Sequence, residues 1–194
     1  GFKMANEELK RTIKEMVVAG KGILAADESV NTAAKRLASI NVESTEETRR
    51  QYRNLILTAP GIEKYICGVI LFEETLYQKT DSGVLFPQHL KNVGVLPGIK
   101  VDGGLADFND KGEQYTKGLD GLGDKLEKHK KAGARFTKWR AVYTISDNTP
   151  SQEAIERNYV INKIKLIFER FGFDPLETPA LEYAETLLGK YGDE

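Results

Sequence analysis

The chain has 194 residues, 40% of them hydrophobic and 29% charged, which is enough to bury one sizeable core and predicts a soluble globular protein. Its 28 basic and 29 acidic residues nearly cancel, which argues against partners held by charge alone, namely nucleic acid or an anionic membrane. A single cysteine, Cys67, excludes an internal disulfide framework and fits a reducing compartment. No apolar run approaches the roughly 18 residues of a membrane span, and the N-terminus lacks an apolar signal stretch, so we expect a cytoplasmic protein.

Helices and short apolar runs alternate from the N-terminus onward. Residues 1–3, ahead of Met4, are interpreted as a remnant of recombinant expression and are left out of the predicted fold. Asn6 is predicted to cap a first helix, whose apolar residues share one face. Further helices are predicted at about 31–40, 46–58, 87–94 and 121–132, and strands at 22–27, 65–72, 96–102 and 135–145.

The second half of the chain contains a long loop and a further helix. Residues 103–120 are rich in Gly, Asp and Lys and are predicted to form the loop. Thr149 is predicted to cap the helix, with Pro150 at its first position and Gln152 at the capping-box position, and the helix runs toward residue 170. The repeated order of strand and helix implies a parallel sheet with right-handed crossovers, either doubly wound or a barrel.

Ionisable side chains stand at the ends of three of the predicted strands. Asp27, Lys100 and Lys138 all lie where parallel α/β folds collect their reacting groups, at the carboxyl ends of strands. Because strand side chains alternate, Lys138 shares a face with Arg140, and Lys100 shares one with Asp102. Such a cluster suits a substrate that carries phosphate groups. The alternative is a set of ion pairs that only closes one end of a barrel.

Other catalytic or metal-binding patterns are missing from the sequence. His89 and His129 lie far apart and match no metal spacing, so each is interpreted as a surface or packing residue. There is no Walker A loop, GxGxxG fingerprint, GxSxG elbow or HExxH motif.

A series of short motifs runs in order from about Glu7 to Asn158. The motifs are Gly20-Lys-Gly-Ile-Leu-Ala-Ala-Asp-Glu-Ser29, Ala34-Lys-Arg-Leu37, Gly68-Val-Ile-Leu-Phe-Glu-Glu-Thr-Leu-Tyr-Gln-Lys79, Gly98-Ile-Lys-Val-Asp102, Gly118-Leu-Asp-Gly-Leu122, Lys138-Trp-Arg140 and Thr149-Pro-Ser151. Together they resemble the N-terminal half of the class I fructose-bisphosphate aldolases, which act in glycolysis. The resemblance implies a (β/α)8 TIM barrel, of which this chain holds only about four to five βα units, a partial barrel.

The resemblance also implies an activity. Aldolases of this class split fructose 1,6-bisphosphate into dihydroxyacetone phosphate and glyceraldehyde 3-phosphate through a Schiff base, with no metal or other cofactor. Asp27 would sit beside the imine and assist proton transfer, and Lys138 would stabilise charge during carbon–carbon cleavage. The phosphate-binding residues would be Ser29, Lys100 and Arg140 at one end of the sugar and Arg36 and Arg49 at the other. A sugar phosphate as substrate and a homo-oligomer are the partners expected.

The second half of that active site is not recognisable in this sequence. The family forms its imine with a lysine on the sixth strand and moves protons with two glutamates on the fifth. When the chain is aligned on Gly172 and Pro179, the two acidic positions hold Thr178 and Ala180. We therefore expect this chain to be inactive, or nearly so, when it is alone.

The C-terminal segment has a different resemblance. Residues 161–194 are similar to motif 1 of class II aminoacyl-tRNA synthetases, most closely the histidyl enzymes, where this motif forms a dimer interface. The expected organisation is thus an aldolase-like partial barrel at 4–160, followed by a helix-strand-helix segment of different apparent origin. Two interpretations stay open: a chimeric, non-catalytic assembly module that dimerises through this tail, or a divergent fifth barrel strand at 172–182.

Overall fold

The structure is a computed structural model and describes residues 2–158 of the chain. The segment 161–194 lies outside the described residues. Its predicted helix-strand-helix organisation and its likeness to a synthetase motif therefore stay predictions, as does the domain boundary at residue 160.

Seven α-helices and six strands are present in the described part of the chain. The helices are α1 (Phe2–Met16), α2 (Val30–Ala38), α3 (Glu46–Leu57), α4 (Glu73–Leu76), α5 (Phe86–Asn92), α6 (Leu122–Lys131) and α7 (Gln152–Asn158), with a short 3-10 helix at Ile62–Lys64. The strands are β1 (Gly22–Ala26), β2 (Ile66–Leu71), β3 (Leu96–Lys100), β4 (Leu105–Asp107), β5 (Gln114–Thr116) and β6 (Phe136–Lys138).

Four of the strands form one parallel sheet in the order β1-β2-β3-β6. Each neighbouring pair is joined through helices, as the alternation in the sequence predicted. The register places Gly98 of β3 beside Phe136 of β6, and Lys100 beside Lys138. Since alternate residues of a strand share a face, these four side-chain positions all lie on one face of the sheet.

The hydrophobic core lies on the other face of the sheet, beneath the helices. Strand residues with this orientation pack against the apolar sides of α3, α5 and α6 in a single cluster. Its fully buried members include Val69, Leu71, Ile99, Leu57, Leu90 and Leu126. Burial of each such side chain stabilises the fold by about 1.5–3 kcal/mol before entropy is counted. The core thus fixes the strands and leaves the opposite face for polar groups.

The face opposite the core is concave. Neighbouring strands are about 4.8 Å apart, so the outer strands of a flat sheet of this size would be roughly 14 Å apart. Yet the Lys138 ammonium at the end of β6 lies 2.7 Å from the Asp27 carboxylate just beyond β1. Side chains of a flat sheet stand side by side and would not meet over that span. The sheet therefore curves as a barrel wall does, with Phe136 lying over Gly98 and Gly68 on its inner side.

The segment 103–120, predicted as a loop, contains an antiparallel hairpin formed by β4 and β5. Two backbone hydrogen bonds close its base, from Gly103 to Lys117 at 2.7 Å and from Lys117 to Gly104 at 2.9 Å. Gly104 has a φ of 81°, a conformation in which a side chain would be strained. Each strand has only three residues, which is too short for alternation of apolar residues to show in the sequence.

The fourth sheet strand is much shorter than the predicted 135–145 and ends at Lys138. The reason is the length of its neighbour, because β3 ends at Lys100 and the ladder stops with the bond from Val101 to the Lys138 carbonyl, 3.1 Å. Beyond this point the chain is held by side chains instead, including the Thr116 hydroxyl, which donates to the Arg140 carbonyl at 2.6 Å.

Two predicted helix caps are wrong. The first helix begins at Phe2, so Asn6 lies inside it and residues 2–3 belong to the helix. Residues 2–5 contain no glycine or proline that would prevent the helix from beginning before Asn6. The last described helix begins at Gln152, and its cap is Ser151 rather than Thr149, since the Ser151 hydroxyl accepts from the Ala154 N–H at 3.2 Å.

Candidate active site

The Asp27 and Lys138 side chains meet at the carboxyl ends of β1 and β6. Lys138 Nζ donates to Asp27 Oδ2 at 2.7 Å, and Asp27 is only 8% exposed. The two residues are far apart in the sequence and on opposite edges of the sheet, so the curvature of the sheet brings them together. A charge-assisted hydrogen bond of this length fixes the position of the ammonium group.

Lys100 lies beside Lys138 in the same sheet register. Its ammonium is 3.6 Å from Oδ1 of Asp102, whose side chain is fully buried. The same oxygen accepts from the Gly104 N–H at 3.1 Å, whereas Asp102 Oδ2 has no partner among the described residues. Two cations and two carboxylates therefore converge on the strand ends, as the sequence predicted for the two lysines and Asp27.

Arg140 follows β6 by two residues and is exposed. Within residues 2–158 its guanidinium makes no hydrogen bond or ion pair, while its backbone carbonyl is held by Thr116. The prediction that it shares a strand face with Lys138 does not apply, because the strand ends first. The backbone of Arg140 is fixed by the hydrogen bond from Thr116, whereas its guanidinium is exposed to solvent. An arginine side chain in this position is well suited to bind an anion.

Ser29 is the N-cap of α2. Its hydroxyl accepts from the Thr32 N–H at 3.3 Å and lies 3.1 Å from the Thr32 hydroxyl. This cap places the N-terminus of α2 directly after Asp27, at the same end of the sheet. The N-terminus of a helix attracts anions because its first N–H groups and its dipole point outward.

Glu28 is a site residue that sequence reasoning missed. Its side chain is 11% exposed and forms ion pairs with Arg53 and Arg36, and the Tyr52 hydroxyl donates to it at 3.2 Å. Arg53 also donates to the Glu28 carbonyl at 3.0 Å. Burial would raise the pKa of Glu28, but its backbone hydrogen bond and the charges of Arg53 and Arg36 outweigh burial, so the pKa lies below its usual value.

The network around Glu28 fixes the two predicted site residues that flank it, Asp27 and Ser29. The signal in the sequence was Arg53, which stands four residues before Leu57 on the buried side of α3. An arginine in an apolar stripe requires a buried acidic partner, because an unpaired charge there costs several kcal/mol.

Arg36 and Arg49 each form an ion pair with a glutamate. Arg36 pairs with Glu28 and donates to the Tyr52 hydroxyl at 3.0 Å. Arg49 binds both oxygens of Glu74, at 2.6 and 2.9 Å, and this hydrogen bonding raises the pKa of Arg49. The structure thus places these two arginines in ion pairs between elements rather than beside the two lysines.

The hairpin is tied to the chain after β6 by a buried carboxylate, Glu113, which sequence reasoning also missed. Its oxygens accept from the Asn109 side chain at 2.6 Å and from the Ser151 N–H at 2.7 Å. These hydrogen bonds hold the pKa of Glu113 below its usual value. Because Thr116 in the same hairpin holds the Arg140 carbonyl, Glu113 braces the segment that carries Arg140.

Neither histidine nor the cysteine belongs to this cluster. His129 is fully buried in α6, as a packing residue should be, and Cys67 is buried and donates to the Met16 carbonyl at 3.0 Å. In residues 2–158 no group of His, Cys, Asp and Glu side chains could hold a metal ion. The described helices are also too short or too polar for any of them to span a bilayer.

A parallel, inwardly curved sheet with helices on its outer face and ionisable groups at the carboxyl ends of its strands defines an α/β protein of the TIM-barrel type. Comparison with known proteins narrows this class. The family model for class I fructose-bisphosphate aldolase matches residues 8–175, a range that extends past Asn158. The chain belongs to the class I fructose-bisphosphate aldolase family.

Individual relatives agree with this assignment. The chain is 54% identical to the cytosolic fructose-bisphosphate aldolase 4 of Arabidopsis thaliana over 164 residues, which cover 84% of this chain and 42% of the relative. It is 46% identical to a probable class 1 aldolase of Xylella fastidiosa over 178 residues, which cover 91% of this chain and 53% of the relative.

A solved structure of fructose-bisphosphate aldolase from Plasmodium falciparum, in complex with TRAP and a small-molecule inhibitor, has the same fold. It superposes with a TM-score of 0.82 at 42% identity, over 88% of this chain and 50% of that chain. The chain therefore spans about half the length of the proteins it matches.

Proposed function

We propose that this chain supplies the first half of a class I aldolase active site and binds phosphorylated sugars at the carboxyl ends of its strands. The observation that supports this most directly is the 2.7 Å contact between Lys138 and Asp27. It brings together two groups from opposite edges of the sheet at the carboxyl ends of the strands, where active sites of TIM-barrel enzymes lie. The cytosolic names of the relatives support a cytoplasmic location for this chain as well.

In the aldol cleavage that this family performs, the hydroxyl on C4 of the sugar gives its proton to one of the fifth-strand glutamates, which have no recognisable counterpart in this sequence. The C3–C4 bond breaks, and its electrons flow to the imine on C2 to form an enamine. In our proposal, Lys138 donates a hydrogen bond to the C4 oxygen as its negative charge develops. Asp27 holds the Lys138 ammonium in place and exchanges a proton beside the imine. Stabilisation of this kind typically contributes about 10²- to 10³-fold to the rate.

The phosphate groups are proposed to bind on either side of this pair. Lys100 and Arg140 supply cations, and Ser29 supplies a hydroxyl at the N-terminus of α2. Arg36 and Arg49 are proposed to act at the other end of the sugar. Both are ion-paired in this structure, so each would have to share or exchange its acidic partner when it binds substrate.

We further propose that this chain does not form the imine when it is alone, because its sequence has no recognisable counterpart of the family's nucleophilic lysine. The test is incubation with dihydroxyacetone phosphate and borohydride, followed by intact mass. We expect no covalent adduct. One adduct per chain would show that another lysine forms the imine and would contradict this part of the proposal.

Binding of the sugar is tested separately by calorimetric titration of fructose 1,6-bisphosphate. Lys138→Met keeps most of the side-chain volume and removes the charge, and we expect it to weaken binding at least tenfold, or about 1.4 kcal/mol. Lys111→Met, at the exposed tip of the hairpin, is the matched control and should bind as the unchanged chain does. Equal affinity in all three proteins would contradict the proposed site.

A second candidate function, a non-catalytic assembly module, is suggested by the apolar face that the sequence predicts for the helix after residue 160. Ile164, Ile167, Phe168 and Phe171 recur at helical spacing there. Under this hypothesis the chain is a homodimer or larger homo-oligomer, and Phe171→Asp dissociates it in sedimentation experiments without changing binding of sugar phosphate. Dissociation together with lost sugar binding would instead make the tail part of the barrel.

A further inference from the structure

A cavity of about 910 Å³ lies at the end of the sheet opposite the lysine and aspartate cluster. Its walls include Leu96, the first residue of β3, and Arg135, which directly precedes β6. Lys100 and Lys138 end the same two strands. The length of β3 alone separates the two ends by about 13 Å, so the cavity and the proposed sugar site are distinct.

The floor of the cavity is apolar. It is formed by the starts of β3 and β6 and by the turns that lead into them, with side chains from Val95, Leu96, Pro97 and Ala134. Small-molecule sites typically have volumes of about 300–1,000 Å³, and this cavity combines such a volume with an apolar floor and seven charged side chains. The size and the floor suit a flat apolar group such as an aromatic ring.

The rim of the cavity carries an excess of positive charge. Five cationic side chains line it: Arg11, Lys91, Lys130, Lys131 and Arg135. Only two carboxylates line it, those of Glu8 and Glu15. The chain as a whole has a net charge of −1, so this excess belongs to the cavity and not to the protein in general.

Ion pairs account for only part of the excess. Lys130 pairs with Glu8 at 3.1 Å, and Lys131 with Glu127, outside the cavity, at 2.6 Å. Arg11 and Arg135 share the single carboxylate of Glu15, each at 3.6 Å.

The Lys91 ammonium makes no ion pair or hydrogen bond with any residue between 2 and 158. Among the residues that the structure describes, two positive charges are therefore unmatched: the Lys91 ammonium, and one guanidinium of the two arginines that share Glu15.

The dipoles of the neighbouring helices offset only part of the remaining positive charge. The C-termini of α5 and α6 both face the cavity, and lysines in a last turn commonly balance the negative end of the helix dipole. Each helix end is equivalent to about −0.5 elementary charge, so the two ends together offset about one of the two unmatched cations. About one positive charge remains above an apolar floor.

We propose that this cavity binds an aromatic phosphomonoester of about the size of a nucleoside monophosphate. The ring lies on the apolar floor, and the phosphate contacts the Lys91 ammonium and the guanidinium groups of Arg11 and Arg135. Arginine is suited to this task because its planar group donates two parallel hydrogen bonds to phosphate oxygens. The proposal does not depend on the sugar site, which lies at the other end of the strands.

The experiment is a titration of the full chain, labelled with ¹⁵N-glycine, with adenosine 5′-monophosphate as the probe. Gly94 and Gly133 line the cavity, whereas Gly103 and Gly104 follow the carboxyl end of β3, so their amide signals tell the two sites apart. We expect saturable shifts at Gly94 and Gly133. Shifts confined to Gly103 and Gly104 would assign the nucleotide to the sugar site and would overturn the proposal.

Adenosine and inorganic phosphate separate the two parts of the recognition. We expect each of them to bind at least tenfold more weakly than the monophosphate, because each lacks either the charge or the ring. Binding of adenosine with equal affinity would show an apolar pocket without an anion site. Equal affinity for inorganic phosphate would show a simple anion site, and either result would contradict the proposal.

Charge reversals on the rim test the named residues. Lys91→Glu and Arg11→Glu both change exposed side chains and are each expected to weaken binding at least tenfold. Lys111→Glu changes the net charge of the chain by the same amount at the tip of the hairpin and should leave the affinity unchanged. If all three variants bind equally, the rim residues do not hold the phosphate, and the proposal is wrong.

Discussion

At the scale of single residues, two buried ionisable groups decide how firmly the strand-end site is held. Glu28 stands between Asp27 and Ser29 and anchors both through its ion pair with Arg53. His129 supports the core from the helical side, where the Tyr77 hydroxyl lies 3.3 Å from its Nδ1. Neither group is proposed to touch substrate, so their effects should appear in stability.

Arg53→Ala removes the buried partner of Glu28. The Arg53 side chain is 4% exposed, and breaking a buried pair typically costs about 3–5 kcal/mol because the remaining charge loses its compensation. We expect a fall in unfolding free energy of this order in urea. Arg36→Ala is the matched control, since Arg36 is 57% exposed and bonds the same carboxylate; its cost should be below about 1 kcal/mol. Similar costs for both variants would contradict the role given to Arg53.

His129 should make stability depend on pH in mildly acidic solution. Burial lowers the pKa of His129, which the charges of Lys125 and Lys128 lower further and that of Glu73 partly restores. The unfolded chain therefore takes up this proton near pH 6.5, before the folded chain does.

The contribution of His129 to stability is thus fully present above about pH 6.5 and is lost as the pH falls toward its folded-state pKa. We expect unfolding free energy, measured in urea between about pH 8 and 5, to decline with acid in the unchanged chain. The decline should be shallower in His129→Gln. An unaltered slope in that variant would assign the effect to another group.

At the scale of elements, the inner face of the sheet places a packing residue and a site residue on the same short strand. Phe136 covers Gly98 and Gly68, and Lys138 follows it by two residues on the same face. The aromatic ring therefore packs beneath the charged groups on this face of the sheet. Small residues are needed beneath it because the ring lies across two neighbouring strands.

Gly98→Ala tests this arrangement. A methyl group at position 98 would overlap the Phe136 ring, and overpacking of this kind typically costs about 1–3 kcal/mol. Thermal or urea unfolding should show this loss, and Phe136→Leu in the same chain should recover part of it. Gly22→Ala, on β1, has open space around the added methyl and should be nearly neutral. A neutral Gly98→Ala would mean that the ring does not rest on this glycine.

At the scale of the whole molecule, the described strands make up one side of a barrel. The edges of the four-stranded sheet are β1 and β6, and they carry Asp27 and Lys138. In the family, the imine-forming lysine belongs to a later strand. The two halves of the chemistry are then expected to be separable and to work only together.

Complementation should demonstrate this division. We expect that mixing this chain with the C-terminal half of the Arabidopsis relative gives a borohydride-trapped adduct on the added half, together with cleavage of fructose 1,6-bisphosphate. Lys138→Met in this chain should lower the rate by about 10²- to 10³-fold while the two pieces still assemble. Unchanged cleavage with the Lys138 variant would remove Lys138 from the mechanism.

The sequence predicted the features of this molecule that depend on long, regular patterns. The alternation of helices and apolar runs predicted the parallel sheet. The positions of Asp27, Lys100 and Lys138 at strand ends predicted that these residues are neighbours. The hairpin was not predictable, because its three-residue strands carry no periodicity. Pairings such as Glu28 with Arg53 depend on how α3 lies against the end of β1, a tertiary arrangement that local patterns do not contain.

The contact between Asp27 and Lys138 also has a consequence for folding while the chain is being synthesised. The two residues are 111 positions apart, and a ribosome adds about 5–20 residues per second. Asp27 is therefore made roughly 6–22 seconds before its partner. During synthesis the first strands hold a carboxylate without its cation, and the charge pair can form only after β6, the last strand of the described sheet, has been made.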